Sequence, residues 1–160
     1  MKNLFKLTLP LFLLILLAGC DSGSMIDADN MKPEETDKMK PVDEVEVTGP
    51  VTVLKTGTLT AQSSTNTKGM VQVVTNSEGR YFVRLTSEFT TKFSTGTVTV
   101  YLSTSERLQL ATSGSFQLVS IVGKAGEHFF PLSGAPDTKF THGIIWCGAA
   151  AIPFGFAPWI

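Results

Sequence analysis

Cysteine is nearly absent from this chain: two stand in 160 residues, at Cys20 and Cys147. A small fold framed by disulfides is thereby excluded, because such a framework needs several paired cysteines. Histidine is as scarce, with only His128 and His142, and no metal-type spacing joins them to a cysteine or to each other. Charged residues make up 17% of the chain, and its cations never gather into the basic, aromatic-interleaved stripe of a nucleic-acid surface. There is no Gly-x-Ser-x-Gly elbow, no glycine-rich phosphate loop opening a helix, and after Pro50 no close pair of acids. Hydrolase, nucleotide-binding and glycosidase chemistry therefore lack their usual groups. No window sustains an apolar period of 3.6 residues, which argues against a helical fold.

What is present falls into three segments. Lys2 and Lys6 precede an apolar run from Leu7 to Leu17, the layout of a secretory signal peptide over residues 1–19. The run is shorter than the ~20 residues a membrane-spanning helix needs. Leu17-Ala18-Gly19-Cys20 resembles the bacterial lipobox, in which the cysteine thiol attacks a diacylglycerol donor and cleavage then falls just before it. That resemblance makes Cys20 a lipidation site, the membrane the partner of the chain, and the extracytoplasmic bacterial envelope its location. Two or three acyl chains hold a protein stably where one does not. An ordinary signal peptide, cut after Gly19 with Cys20 incidental, is the competing reading. Asp21 resembles an inner-membrane retention signal of enteric bacteria; periplasmic face and cell surface both stay open.

Residues 20–50 read as a lipidated, disordered acidic tether. From Asp21 to Pro50 nine acids face three lysines, a net charge of −6, with no aromatic residue. So little apolar surface cannot offset the entropy of ordering. Met25, Met31 and Met39 are soft ligands suited to Cu(I), but their irregular spacing without histidine reads more simply as spacer.

Residues 51–160 carry the opposite net charge, +3, and alternate with period 2, the mark of half-buried strands. Tyr81, Val83 and Leu85 share a face in Arg80–Thr86, and Val98, Val100 and Leu102 share one in Thr97–Ser103. Further strands are expected over Gly57–Ala61, Met70–Thr75, Arg107–Ala111, Phe116–Val122, His128–Leu132, Gly143–Cys147 and Ile152–Ala157. Asn76-Ser77-Glu78-Gly79 predicts a hairpin, with glycine supplying positive φ. About eight to ten short strands at this spacing give an all-β fold, an antiparallel β-sandwich or barrel-like domain. Phe154, Phe156 and Trp159 are either the core face of the last strand or an exposed recognition patch.

From Lys55 to Trp159 a series of motifs runs in order: Thr56-Gly57-Thr58-Leu59, Lys68-Gly69-Met70-Val71, Phe82-Val83-Arg84-Leu85, Val100-Tyr101-Leu102-Ser103, Val122-Gly123-Lys124-Ala125-Gly126 and Phe129-Phe130-Pro131-Leu132. It closes with Ile144-Ile145-Trp146-Cys147 spaced to Phe154-Gly155-Phe156-Ala157. In this order they resemble the DM-thirteen domain, an "electron-transfer" domain found beside DOMON domains in animals and in bacterial secreted proteins. The resemblance implies a β-sandwich-like fold and redox chemistry or cofactor ligation at Cys147. Two departures stand out. Thr95-Gly96-Thr97 occupies the place of a Gly-Pro-Asp run, and Ala150 stands where the family carries an aromatic ring. The first removes a carboxylate; the second predicts space beside the thiol, to be filled by a ligand or by a neighbour.

With Cys20 lipidated, Cys147 is an unpaired thiol in an oxidising compartment. It is either a redox-active thiol, or a ligand to haem iron or a soft metal, or a small apolar residue packed in a core strand. Trp146, His128 and His142 are its accessory candidates. His142 lies five positions before Cys147, so on one regular strand their side chains face opposite ways, and His128 reaches the sulfur only through tertiary pairing. The leading expectation is a membrane-anchored module acting with a redox or envelope protein partner through Cys147. The alternative is a non-catalytic binding module in which the cysteine is structural.

Overall fold

The computed structural model describes residues 40–160. The signal peptide, Cys20, Asp21 and the three tether methionines lie outside those residues. The described chain is a two-layer antiparallel β-sandwich, as the alternation predicts. Its strands are β1 (Val51–Thr58), β2 (Thr60–Ala61), β3 (Met70–Asn76), β4 (Tyr81–Leu85), β5 (Val98–Ser103), β6 (Phe116–Val122), β7 (His128–Pro131), β8 (His142–Cys147) and β9 (Ile152–Pro158). Sheet A has the order β1-β3-β4-β7 and sheet B the order β2-β9-β8-β5-β6. Among the described residues no helix is long and apolar enough to cross a membrane.

The two sheets meet through the residues that the period-2 pattern marks. Val71, Val83 and Leu85 from sheet A pack with Val98, Val100, Leu102, Ile145 and Cys147 from sheet B, and Phe89, Phe130, Phe140 and Phe154 join the same cluster. Burying aromatic and branched side chains in this way supplies the main driving force of folding, at ~1.5–3 kcal/mol each. The hairpin between β3 and β4 forms as expected: Asn76 Oδ1 accepts from the amides of Glu78 and Arg80, and Gly79 takes φ 76°.

Besides Gly57–Ala61, which is divided between β1 and β2 of different sheets, three features depart from the sequence reading. Arg107–Ala111 is not a strand; it lies in the long β5–β6 connection, where the Ser115 hydroxyl ties back to the carbonyls of Gln109 and Thr112. Both sides of β5, the strand it follows, are taken by β6 and β8, and Leu110 is left half exposed. Second, β8–β9 pairing carries a bulge opposite Ile145/Trp146. The extra residue, Phe154, joins the core, while Phe156 stays across from Ile144 on the outer face. The two rings thus split between the faces that sequence alternation alone would give to one.

The third departure concerns the boundary at residue 51. Order begins earlier: Lys40–Pro50 runs as a strap along the open side of the sandwich. The Val42 amide donates to Val119 O of β6, the Val45 amide donates to Phe129 O of β7, and the Ser120 hydroxyl donates to Val42 O. β6 and β7 are edge strands of different sheets, so the strap supplies hydrogen bonds that both edges would otherwise leave to solvent. On the opposite side the chain passes from sheet A to sheet B within β1–Leu59–β2, with Leu59 buried at the corner. Three valines, Val42, Val45 and Val47, are half-buried along the strap; averaged with nine acids over thirty residues they are invisible.

At Gly143 the two layers approach closely. A Cβ there would meet Val71 Cγ1 at 2.8 Å and the Trp159 ring at 3.0 Å. Gly143→Ala is therefore expected to lower stability by about 1–3 kcal/mol through overpacking. Gly123→Ala, with nothing within 4 Å, changes it by no more than about 0.5 kcal/mol. Chemical denaturation of the two variants checks the contrast.

Candidate functional site

β8 lies in the interior of sheet B, between β9 and β5, so its side chains divide cleanly between core and outer face. Gly143, Ile145 and Cys147 point inward; His142, Ile144 and Trp146 point outward. Cys147 is fully buried and belongs to the core cluster. Its sulfur lies 3.7 Å from Thr95 O and 3.9 Å from Thr95 Oγ1, so the thiol donates into the single-turn helix Phe93–Thr95 that roofs it. The Thr-Gly-Thr departure from the resemblance is thus the lid of the thiol. Ala150 stands on the exposed β8–β9 turn, so the ring missing there opens no space beside the sulfur.

The other candidates are not gathered around Cys147. Trp146 is half-buried on the outer face. His142 Nδ1 pairs with the Thr141 hydroxyl at 2.8 Å, and its ring tilts against Phe156 with centroids 6.4 Å apart. Its pKa lies below the ordinary 6.5 because partial burial penalises the imidazolium, with the Glu106 carboxylate opposing. His128 sits on β7 in the other sheet, stacked on Phe130 and edge-on to Phe89. Its polar contacts are Lys124 O and the Glu44 carboxylate. Among the described residues no three histidine, cysteine or acidic side chains are grouped as metal ligands. A haem or soft-metal site at Cys147 would have to be completed by backbone oxygen and Thr95, hard donors poorly matched to those metals. The residues present do not fit such a group.

What the sequence reading passed over is the outer face of sheet B. None of its five strands contains Asp, Glu, Lys or Arg. Pairing sets Leu118, Tyr101, Ile144 and Phe156 in one transverse row. Thr99 lies between Ile121 and Trp146 in the next. Tyr101 and Phe116 make an edge-to-face pair with centroids 5.8 Å apart. Tyr101, Phe116, Leu118, Trp146 and Phe156 are each half-buried, and Ile121 is 53% exposed. The signal was available in the sequence as four well-separated segments without a charge, but only the strand order brings them onto one surface. Sheet A differs: its outer face carries Arg84, bound to Glu127 and lying over the Phe129 ring.

No protein-family model, no curated protein and no solved structure matches the chain.

Two outcomes follow from this geometry. Cys147→Ser puts a more strongly polar hydroxyl where the thiol meets only Thr95 and is expected to cost about 1–3 kcal/mol, measured by urea unfolding. Because the His142 pKa is lowered in the fold, the unfolded chain takes up that proton first as pH falls through 6.5. His142 therefore contributes stability at neutral pH that is lost on acidification. In His142→Gln the decline in global stability between pH 7.5 and pH 5 is expected to be shallower.

Proposed function

We propose that this chain is an extracytoplasmic bacterial lipoprotein, anchored through Cys20, whose β-sandwich is a non-catalytic binding module. Its partner docks on the outer face of sheet B, and Cys147 is a packing residue. The observation that carries the reading is the uncharged, ring-bearing face formed by Tyr101, Phe116, Leu118, Ile121, Trp146 and Phe156. Centres of protein interfaces are depleted in charge and enriched in aromatic residues in the same way. An uncharged sheet face bearing aromatic rings suits docking better than turnover. The leader Lys2–Cys20 supports the anchor.

A redox-linked role for Cys147 is the second reading. One observation favours it: the sulfur lies beneath a single three-residue turn whose Thr95 is half exposed, so a small local movement would uncover it. The resemblance to the DM-thirteen domain supports it as well.

A photo-cross-linking residue placed at Ile121 in the cell-anchored chain is expected to give a discrete envelope-protein adduct, and one at the hairpin-tip position Glu78 is not. Ile121→Glu should weaken that binding about tenfold or more without lowering the melting temperature. Equal labelling from both positions, or full binding by Ile121→Glu, contradicts the docking face. Purified full-length protein with a Soret band or stoichiometric metal, lost in Cys147→Ala, would move the assignment to the second reading. Separately, Cys20→Ala is expected to release the protein from the membrane fraction.

A further inference from the structure

His142 lies in the outward row Phe116–Ser103–His142–Pro158 of sheet B, next to the row that holds Tyr101, Ile144 and Phe156. Its Nδ1 is 2.8 Å from Thr141 Oγ1, and that same hydroxyl donates to Thr104 O at 2.9 Å. A hydroxyl has a single proton. With that proton committed to the Thr104 carbonyl, Thr141 Oγ1 can only accept from the ring, so Nδ1 carries the imidazole hydrogen. Nε2 is then the bare nitrogen. Among the described residues no group hydrogen-bonds Nε2, and it is not sealed from solvent. Thr141 is itself fixed by its backbone: its amide donates to Ser103 O and its carbonyl accepts from the Trp159 amide.

The other polar side chains of this face are either committed or adaptable. Thr99 Oγ1 donates to Trp146 O and Ser103 Oγ accepts from the Ser105 amide, and both residues are buried. The Tyr101 hydroxyl can donate or accept, and the Trp146 indole only donates. His142 Nε2 is therefore an acceptor that cannot turn into a donor while the ring is neutral. Strands β5, β8 and β9 bring no charged side chain to it; the charge that acts on the ring is the Glu106 carboxylate of the β5–β6 connection.

From this geometry we infer that the partner on sheet B meets His142 Nε2 with a hydrogen-bond donor, an N–H or O–H carried on an otherwise apolar and uncharged protein surface. The inference rests on the docking reading above and names the chemistry of the partner at one point of that face. Covering Nε2 with carbon would leave a desolvated lone pair without a partner, and facing it with a carbonyl or carboxylate would set lone pair against lone pair. A donor alone satisfies it. On a face without formal charge, apolar contact supplies area but little orientation, so a single acceptor of fixed polarity near one end discriminates between partners and sets the register of the right one.

Two measurements test this. Long-range proton–nitrogen correlation NMR of the isotope-labelled full-length chain in detergent micelles at pH 8 reads the His142 tautomer, with His142→Gln assigning the resonances. The proton is expected on Nδ1, and Thr141→Val should mix the two tautomers; a proton on Nε2 in the native chain overturns the inference. The second measurement is the adduct yield from the photo-cross-linker at Ile121 in the cell-anchored chain. His142→Phe keeps a ring but removes the acceptor, and is expected to lower the yield about tenfold or more at unchanged melting temperature. His142→Gln, whose amide oxygen reaches the place of Nε2, should stay within about threefold of the native yield. An undiminished yield in His142→Phe, or an equal loss in both variants, overturns the inference and leaves the docking face standing. No adduct from the native chain removes the docking face, and this inference with it.

Discussion

Two sheets that pack face to face leave four edges, and the way this chain disposes of its edges governs the rest of the fold. One side closes covalently, because the chain turns from β1 through buried Leu59 into β2. The other side, between β6 and β7, is joined only by the short turn through Gly123 and Gly126. There the strap takes over, bonding one amide to each edge. An open, apolar sandwich edge is a template for unwanted pairing. Enlisting the segment that precedes the first strand answers that hazard with three valines and a serine hydroxyl, and it ties the state of the edges to the residues that lead into β1.

With the edges closed, the interior is mostly apolar and the two outer faces diverge. β8 lies inside sheet B and sends Gly143, Ile145 and Cys147 inward to set the spacing between the layers. Its other face joins rings from β5, β6 and β9 in a surface without formal charge. Charge is gathered elsewhere: on Arg84 of sheet A and its partner Glu127 in the β6–β7 turn, and on the acidic strap. The arrangement separates a surface suited to a partner from a surface suited to water. It also places Cys147 on the wrong side of its own strand to take part in whatever meets Trp146.

Much of this was legible in the residues. Alternation at Tyr81–Leu85 and Val98–Ser103 gave strands and their inward faces, because period 2 and burial share one cause. The Asn76–Gly79 turn was legible because only a few residue types meet its backbone geometry. Parity alone separated His142 from Cys147. Arg107–Ala111 misled because alternation states what a strand would bury, not whether an edge is free to pair with it. Phe154 and Phe156 misled because a bulge inserts one residue and reverses parity; Gly155 between them was the one local sign of it. The strap was hidden for a different reason: its order comes from hydrogen bonds that β6 and β7 donate the acceptors for, some eighty residues away in sequence. The uncharged outer face depends in the same way on strand order, which composition does not encode.

The account rests on the sulfur of Cys147 being sealed core rather than a working group, and the kinetics of its reaction with a maleimide measure this directly. If the thiol is sealed, the native protein labels at the rate of global unfolding, and that rate climbs with urea along the same curve as the exchange of β3 and β4 amides. Rapid labelling of the folded protein in the absence of urea, independent of that curve, would contradict the account and return Cys147 to the surface chemistry of the molecule.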